Sequence, residues 1–272
     1  MPSTRSRAQI VATLGPISSD IEHVRALVRA GADVFRLNFS WGVLAEHAER
    51  IAHIRQVENE LGTSIVILQD VPGPRIQETA GHTYDHSQPS ALTEHDKECI
   101  IFGIEQGVDC VAMSFVGSSK DVEECRAFIR EKGGKQPVIA KIERAVALDN
   151  LSEIIDSADA VMVARGDLGE EVPLERIPFV QADIIRKSNK AGKPVITATQ
   201  MMLSMVEHPE PTRAEVTDVE VAITQGSDAV MLSEETAKGQ YSIEAVTMME
   251  KIVSEAEKHM EGRKFNLLKK LS

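Results

Sequence analysis

The sequence alternates short segments rich in β-branched residues with longer amphipathic segments along almost its whole length, and there are eight of each. A strand followed by a helix, repeated in this way, is typical of α/β proteins, in which helices cover a parallel sheet. This alternation excludes folds that separate strands from helices. The predicted strands are residues 10–14, 34–38, 64–68, 110–115, 137–142, 160–164, 194–199 and 229–233.

Turn signals separate the predicted helices from the strands that follow them. Glycines in AGAD, EQGVD, KAGKP and TQGSD can each end a helix directly before a strand. Eight such units in roughly 255 residues predict an α/β fold, a (β/α)8 TIM barrel, with a doubly wound open sheet as the alternative. The predicted helices are residues 20–30, 43–60, 95–106, 119–132, 146–156, 175–190, 212–225 and 242–259.

The domain organisation follows from the one interruption of this rhythm. Residues 77–91 are polar and rich in turn formers, and they are too few to form a domain. We therefore expect a single barrel over residues 1–260, with a short loop at 77–91, followed by a C-terminal tail at 261–272.

Composition excludes several classes of function. Thirty Lys and Arg face 42 Asp and Glu, a net charge of −12, which disfavours a nucleic-acid partner. No apolar run approaches the ~18 residues of a membrane span, so no membrane association is expected. The three cysteines form no CxxC pair, which indicates neither a zinc site nor a disulfide scaffold. We expect a cytoplasmic, homo-oligomeric protein with a small-molecule substrate.

Polar residues follow the predicted strands at the points where a barrel of this type places its chemistry. Side chains two residues apart on a strand share a face, so residues of one strand end can point together into the mouth. Any one of these residues could instead begin a solvated loop. The candidates are Arg36, Asn38, Ser40, Asp70, Lys141, Glu143, Asp167 and Thr199.

Lys141 and Glu143 directly follow the apolar run PVIA. Two charges there are costly to desolvate unless they are paired, bound to a metal or catalytic. Glu143 and Asp167, at neighbouring strand ends, are well placed for a hard divalent cation that keeps open positions for an oxygen-rich substrate. A cluster of salt bridges is the structural alternative.

Several strings, in their order along the chain, resemble the pyruvate kinase family. The resemblance covers roughly residues 8–252 and implies the catalytic (β/α)8 barrel of that family. The strings are IVATLGP, RLNFSWG, QDVPGPRI, EQGVDCVAMSFV, KIE, VARGDLGEEVPLE, GKPVITATQM, PTRAEVTDV and DAVMLSEETA.

The resemblance implies a role for each candidate. Glu143 and Asp167 match the ligands of Mg²⁺ or Mn²⁺, and Lys141 matches the cation beside the phosphoryl group and the enolate. The remaining matches are a catalytic threonine near the protonated carbon of the enolate, Thr199; a phosphate-binding arginine, Arg36; and the segment that holds the substrate carboxylate, Ala164, Gly166 and Asp167.

A monovalent-cation site is also implied, at Asn38, Ser40 and Asp70. Arg75 lies where family members that require K⁺ tend to carry glutamate and the others a basic residue. A guanidinium there supplies positive charge at every working pH. We therefore expect no K⁺ requirement, with pairing of Arg75 to Asp70 or Glu78 as the alternative.

The sequence also departs from the family pattern. The family inserts a lid domain after the third strand, where this chain has only residues 77–91, and we expect no further C-terminal domain after the eighth helix. Trp41 replaces a histidine and Gln77 an arginine, both on the nucleotide side of the family's site. Glu234 replaces a glycine near the eighth strand. Because lid closure protects phosphoryl transfer from water, these departures argue against ADP binding.

We therefore expect a divalent-metal-dependent enzyme of pyruvate-type enolates. Its substrates would be 2-oxo acids such as pyruvate or oxaloacetate, or phosphoenolpyruvate, and it would act as a decarboxylase or aldolase, a carbon–carbon lyase. A minimal pyruvate kinase that phosphorylates ADP is one alternative, and a non-catalytic 2-oxo acid binding protein is another. Joint retention of the four residues favours catalysis over a sensor, because a sensor needs no proton-transfer position; they are Lys141, Glu143, Asp167 and Thr199.

Overall fold

A computed structural model describes residues 5–78, 81–85, 87, 88, 90–260 and 262–268. Eight parallel strands form a closed barrel in the order β1–β2–β3–β6–β7–β8–β9–β10, and β10 pairs back to β1. This confirms the predicted (β/α)8 fold. The strands are β1 (Gln9–Leu14), β2 (Val34–Asn38), β3 (Val66–Val71), β4 (Arg75–Glu78), β5 (Gly81–Tyr84), β6 (Cys110–Met113), β7 (Val138–Ile142), β8 (Ala160–Ala164), β9 (Val195–Ala198) and β10 (Ala229–Leu232).

Helices surround the barrel strands. None of the helices in the described parts of the chain has the length and hydropathy of a membrane span. They are α1 (Ile21–Ala30), α2 (Leu44–Leu61), α3 (Glu94–Gln106), α4 (Ser119–Glu131), α5 (Ala145–Asp149), α6 (Leu151–Ser157), α7 (Arg165–Glu171), α8 (Ile177–Lys190), α9 (Arg213–Gln225), α10 (Glu234–Ala237) and α11 (Ser242–Lys258).

Alternation along the strands divides the core into two layers. One set of buried side chains, which includes Val11, Val34 and Ile139, fills the inside of the barrel. The other, which includes Ile10, Phe35 and Ala140, packs between the strands and the helices. Both faces of the strands are therefore mostly apolar, apart from charged residues such as Arg36, Asp70 and Lys141 towards their carboxyl-terminal ends, which explains the β-branched runs of the sequence.

The described residues at the start of the predicted loop 77–91 include strand structure. Strands β4 and β5 form an antiparallel hairpin in which Arg75 lies opposite Tyr84 and Glu78 lies opposite Gly81. Residues 79, 80, 86 and 89 lie outside the described residues. Two strands of four residues give too short an alternation to be recognised among turn formers, so this hairpin escaped prediction.

The string VARGDLG runs from the end of strand β8 into helix α7 (Arg165–Glu171), although glycine disfavours a helix interior. Leu168, buried on the barrel, anchors this helix. The predicted helix 146–156 is two helices, α5 and α6, which meet at Asn150. In both cases tertiary packing determined the local structure more strongly than composition did.

The described part of the C-terminal tail packs against the amino-terminal ends of the barrel strands. The backbone N–H of Asn266 donates to Asp228 Oδ1 at 2.8 Å, and that of Leu268 donates to Gln9 Oε1 at 2.6 Å. The side chain of Leu268 is buried with the residues inside the barrel. Residues 262–268 therefore close this end of the barrel.

We expect Leu268→Ala to lower the free energy of unfolding by about 2–3 kcal/mol, near the low end for buried leucines because the tail can shift into the space. Urea unfolding followed by circular dichroism measures the change. Leu267→Ala is the matched control, because Leu267 is only half-buried and should lose less. Equal losses for both variants would contradict burial of Leu268 inside the barrel.

Candidate active site

Residues at the carboxyl-terminal ends of strands β3, β6 and β7 surround the Lys141 ammonium group, and two of them are predicted site residues. Lys141 Nζ lies 3.0 Å from Asp70 Oδ1 and 2.9 Å from Glu143 Oε1. It also donates to Ser114 Oγ at 2.7 Å. Lys141 is only 5% exposed, so its ammonium group depends on these three oxygens in place of water.

Asp70 is shared between two cations. Its Oδ2 accepts a hydrogen bond from Arg36 Nε at 2.6 Å, while its Oδ1 faces Lys141. Burial opposes ionisation of Asp70, but the positive charges of Lys141 and Arg36 outweigh it and hold the pKa of this carboxyl below its usual value. Arg36 also donates to Thr13 Oγ1 at 3.2 Å. The two cations are therefore fixed side by side.

Glu143 is 2% exposed and accepts the backbone N–H of Phe115 on Oε2 at 2.7 Å. Burial raises the pKa of Glu143, Lys141 opposes this, and the negative charge of Asp167 adds to it. Two carboxylates therefore lie close enough to repel each other. A cation between them would relieve this repulsion.

This charge balance fits a divalent cation. Arg36 and Lys141 supply two positive charges, and Asp70 with the two repelling carboxylates supplies three negative ones. In the described residues, no group of three or more His, Cys, Asp or Glu side chains could hold a metal alone. Mg²⁺ is commonly held by one or two carboxylates together with substrate oxygens and water, so Glu143 and Asp167 suit it.

Thr199 lies in a strained turn after β9. Its φ is +75°, and that of Gln200 is +55°, a region that non-glycine residues seldom adopt. Arg165 donates to the Thr199 carbonyl at 2.8 Å and reaches Asp218 at 2.7 Å, which fixes this turn to the barrel. Strain of this kind is found where a side chain is held for function.

The predicted carboxylate-binding segment lies against this turn. Ala164 ends β8, and Gly166 is the second residue of α7. A Cβ added to Gly166 would stand 2.9 Å from Thr199 Cγ2, so only glycine allows this approach. The structure thus places the segment and Thr199 beside each other.

Two residues of the cluster were not among the predicted site residues. Ser114 binds both Lys141 and the Val71 carbonyl, at 2.7 Å each. Phe115 has φ +56° and donates its N–H to Glu143. Both residues lay inside the predicted strand 110–115, whereas β6 ends at Met113, so their place after a strand end became visible only in the structure.

The predicted monovalent-cation residues do not form one open group. Asn38 Oδ1 accepts the N–H of Ser40 at 3.1 Å, and Ser40 Oγ is buried with no hydrogen-bond partner in the described residues. Asp70, by contrast, is engaged by Arg36 and Lys141. Arg75 donates to the Pro72 carbonyl at 2.8 and 3.0 Å. No ion pair joins it to Asp70 within the described residues, and the Glu78 side chain lies outside them.

Two of the three substituted residues, Trp41 and Glu234, lie exposed at the rim of the barrel. Trp41 is 58% exposed and lines a cavity of about 330 Å³ together with Ser40 and Arg75. Glu234 points to Lys238 at 3.2 Å, about half of its side chain is exposed, and it does not add a carboxylate to the cluster. The side chain of Gln77 lies outside the described residues.

Comparison with known proteins connects this geometry to one family. A family model described as pyruvate kinase, barrel domain matches residues 5–88 and 85–246. The pyruvate kinase of Thermococcus litoralis is 36% identical, over 99% of this chain and 73% of that protein. One from Agrobacterium vitis is 38% identical, over 94% and 70%, and pyruvate kinase 2 of Synechocystis sp. is 38% identical, over 92% and 57%.

The alignments also locate a difference. The alignment with the Thermococcus litoralis protein spans 349 positions, more than the 272 residues of this chain, so the relative carries segments that this chain lacks. The two matched parts of the family model meet at residues 85–88, directly after strand β5. The interruption therefore lies beside the hairpin, away from the Lys141 cluster in sequence.

Proposed function

The chain belongs to the pyruvate kinase family, and from that premise we propose that it transfers the phosphoryl group of phosphoenolpyruvate to ADP. The P–O bond to the enol oxygen breaks and a bond to the terminal phosphate oxygen of ADP forms. The enolate left behind takes a proton on its methylene carbon and becomes pyruvate. The identity of 36–38% over nearly the whole chain carries this proposal.

The expectation of a decarboxylase or aldolase is therefore wrong. That expectation rested on Trp41, Gln77 and the missing lid. The relatives whose alignments cover 92–99% of this chain are, however, pyruvate kinases. The physical reason lies in where the departures fall. Trp41 is at the solvent-exposed rim, and the buried charged cluster is complete without it.

The chain's own residues account for the phosphoryl half of the reaction. Arg36 and Lys141 stand side by side on Asp70, so their charges face the same part of the barrel mouth. A phosphoryl group there would be bound by two fixed cations, and charge developing on the enol oxygen would be stabilised without reorganisation. The protein is thus preorganised for phosphoryl transfer.

Glu143 and Asp167 are proposed to hold Mg²⁺ or Mn²⁺. When bound, such an ion neutralises phosphate charge and withdraws electrons from the enolate. Glu143 keeps its orientation through Lys141 and the N–H of Phe115. Small substrates rich in oxygen, such as phosphoenolpyruvate and ADP, would complete the coordination of the metal ion.

The carboxylate and the reactive carbon of the substrate are assigned to the opposite side of the mouth. Ala164, Gly166 and Asp167 offer the substrate carboxylate a close backbone approach, which the missing Gly166 side chain permits. Thr199 is proposed to face the methylene carbon, where its hydroxyl can hold the proton that the enolate takes up. Arg165 keeps that hydroxyl in place through the Thr199 carbonyl.

The test is direct. Phosphoenolpyruvate, ADP and Mg²⁺ should give ATP and pyruvate with saturation in both substrates, at a kcat on the order of 1–100 s⁻¹ if the chain is as fast as typical kinases. Luciferase detects ATP, and lactate dehydrogenase detects pyruvate. Pyruvate formed without ATP would show hydrolysis, and no pyruvate with any divalent ion would refute the proposal.

The third expected result concerns monovalent ions. We predict equal rates of ATP formation in Na⁺, K⁺ and tetramethylammonium salts, because Arg75 carries a permanent charge at the rim and Asp70 is already engaged. Arg75→Glu should create a K⁺ requirement, and Arg75→Lys, which keeps the charge, should not. Strong K⁺ activation of the unmodified protein would contradict this.

A further inference from the structure

The hairpin of β4 and β5 reaches the barrel mouth through one aromatic ring. Tyr84 is the last residue of β5 and lies opposite Arg75, the first residue of β4, so it stands where the hairpin meets the barrel. Its ring packs against two residues of other barrel loops at once. Neither contact belongs to the hairpin itself.

The first contact is with Arg144. The guanidinium carbon of Arg144 lies 3.9 Å from the centroid of the Tyr84 ring, a close cation–π stack. Arg144 Nε is buried and has no hydrogen-bond partner in the described residues. The face of Tyr84 therefore supplies a contact to this side chain that no hydrogen bond at Nε supplies.

The second contact is with Phe115. The two ring centroids are 5.4 Å apart with the planes inclined at 62°, an edge-to-face pair. Phe115 has φ +56°, so its backbone persists only because its surroundings hold it. Gly73 packs on the other side, since a Cβ there would stand 2.8 Å from Phe115 Cδ2.

Both contacts lead to Glu143. Phe115 donates its backbone N–H to Glu143 Oε2 at 2.7 Å, and Arg144 is the next residue along the chain. A tilt of the strained Phe115 backbone would lengthen that hydrogen bond. A released Arg144 would bring a mobile positive charge beside the carboxylate, in competition with any bound cation.

We propose that Tyr84 is a positioning residue, which holds Phe115 and Arg144 so that the Glu143 carboxylate keeps its orientation for a divalent cation. The inference rests on the proposed function only in taking Glu143 as a ligand of that cation. Through Tyr84, the hairpin would support the metal-binding carboxylate of Glu143 from outside the cluster. Residues that orient a metal ligand typically contribute 10–100-fold to metal affinity.

Mn²⁺ binding measured from the electron paramagnetic resonance signal of the free ion, without phosphoenolpyruvate or ADP, tests this directly. Tyr84→Ala should weaken Mn²⁺ binding by roughly 10–100-fold. Tyr84→Phe, which keeps the ring face and edge, should bind as the unmodified protein does. Tyr84→Leu keeps the bulk of the side chain but not the ring, and it should weaken Mn²⁺ binding as Tyr84→Ala does. If Tyr84→Ala does not fold, Tyr84→Leu provides the test.

Phe265→Leu is the matched control, because Phe265 also stacks on arginines, Arg7 and Arg263, at the other end of the barrel. It should leave Mn²⁺ affinity unchanged. The inference is overturned if folded Tyr84→Ala or Tyr84→Leu binds Mn²⁺ as tightly as the unmodified protein, or if Phe265→Leu weakens binding equally. Because the Mn²⁺ measurement uses neither phosphoenolpyruvate nor ADP, its result does not depend on whether the protein forms ATP.

Discussion

Lys141→Met should lower kcat for ATP formation by about 10²–10³-fold, the loss typical when one fixed contact to developing charge is removed. The ammonium group lies 2.9–3.0 Å from two carboxylates, and the side chain is buried. Because this contact strengthens as charge develops, the KM for ADP should change little. Steady-state assays with lactate dehydrogenase as the coupling enzyme measure both constants.

Lys132→Met is the matched control for that experiment, because Lys132 pairs with Glu131 on the outer surface and should leave kcat unchanged. The Lys141 variant should remain folded: Arg36 still balances Asp70, and Glu143, whose pKa is already raised by burial, can take up a proton. Circular dichroism checks this. A folded variant that keeps more than about a tenth of the activity would contradict the assigned role.

Glu143→Gln should weaken Mn²⁺ binding by roughly 10²-fold or more, because the ligand loses its charge while its position is kept. ATP formation at limiting metal should fall in parallel. Titration with Mn²⁺ followed by paramagnetic resonance gives the affinity, and rates at rising Mn²⁺ show whether excess metal restores part of the activity.

Glu123→Gln, on the exposed face of helix α4, serves as the control and should bind Mn²⁺ normally. Loss of activity in Glu143→Gln without loss of metal affinity would assign Glu143 to orienting Lys141 alone. That outcome would leave Asp167 as the sole proposed protein ligand.

The strands were the part of the fold that could be predicted best. Val34–Asn38 and Ala160–Ala164 match their predicted bounds, since strands buried on both faces give mostly apolar runs, interrupted here only by Arg36 and Asn38. The same rule located the site, because Lys141 and Glu143 break such a run. Their mutual distances could not be predicted, since they depend on how the strands are staggered around the barrel.

Other features left weaker signals. The hairpin depends on pairing between residues 75–84, and Tyr84 owes its position to Arg144 and Phe115, which are distant in sequence. Nothing in the local sequence distinguishes Ser114, because its contact with Lys141 forms only when the barrel closes. Sequence patterns report local periodicity, whereas these contacts arise only after the chain has closed into a barrel.

The C-terminal tail has a practical consequence for handling the protein. Leu268 is fixed at the amino-terminal ends of the strands, whereas Lys141 and Glu143 lie at their carboxyl-terminal ends. A linker joined after Leu268 therefore leaves from the side of the barrel opposite the proposed active site. If the protein is tethered to a sensor surface through such a linker, the mouth should face the solution and stay open to small molecules.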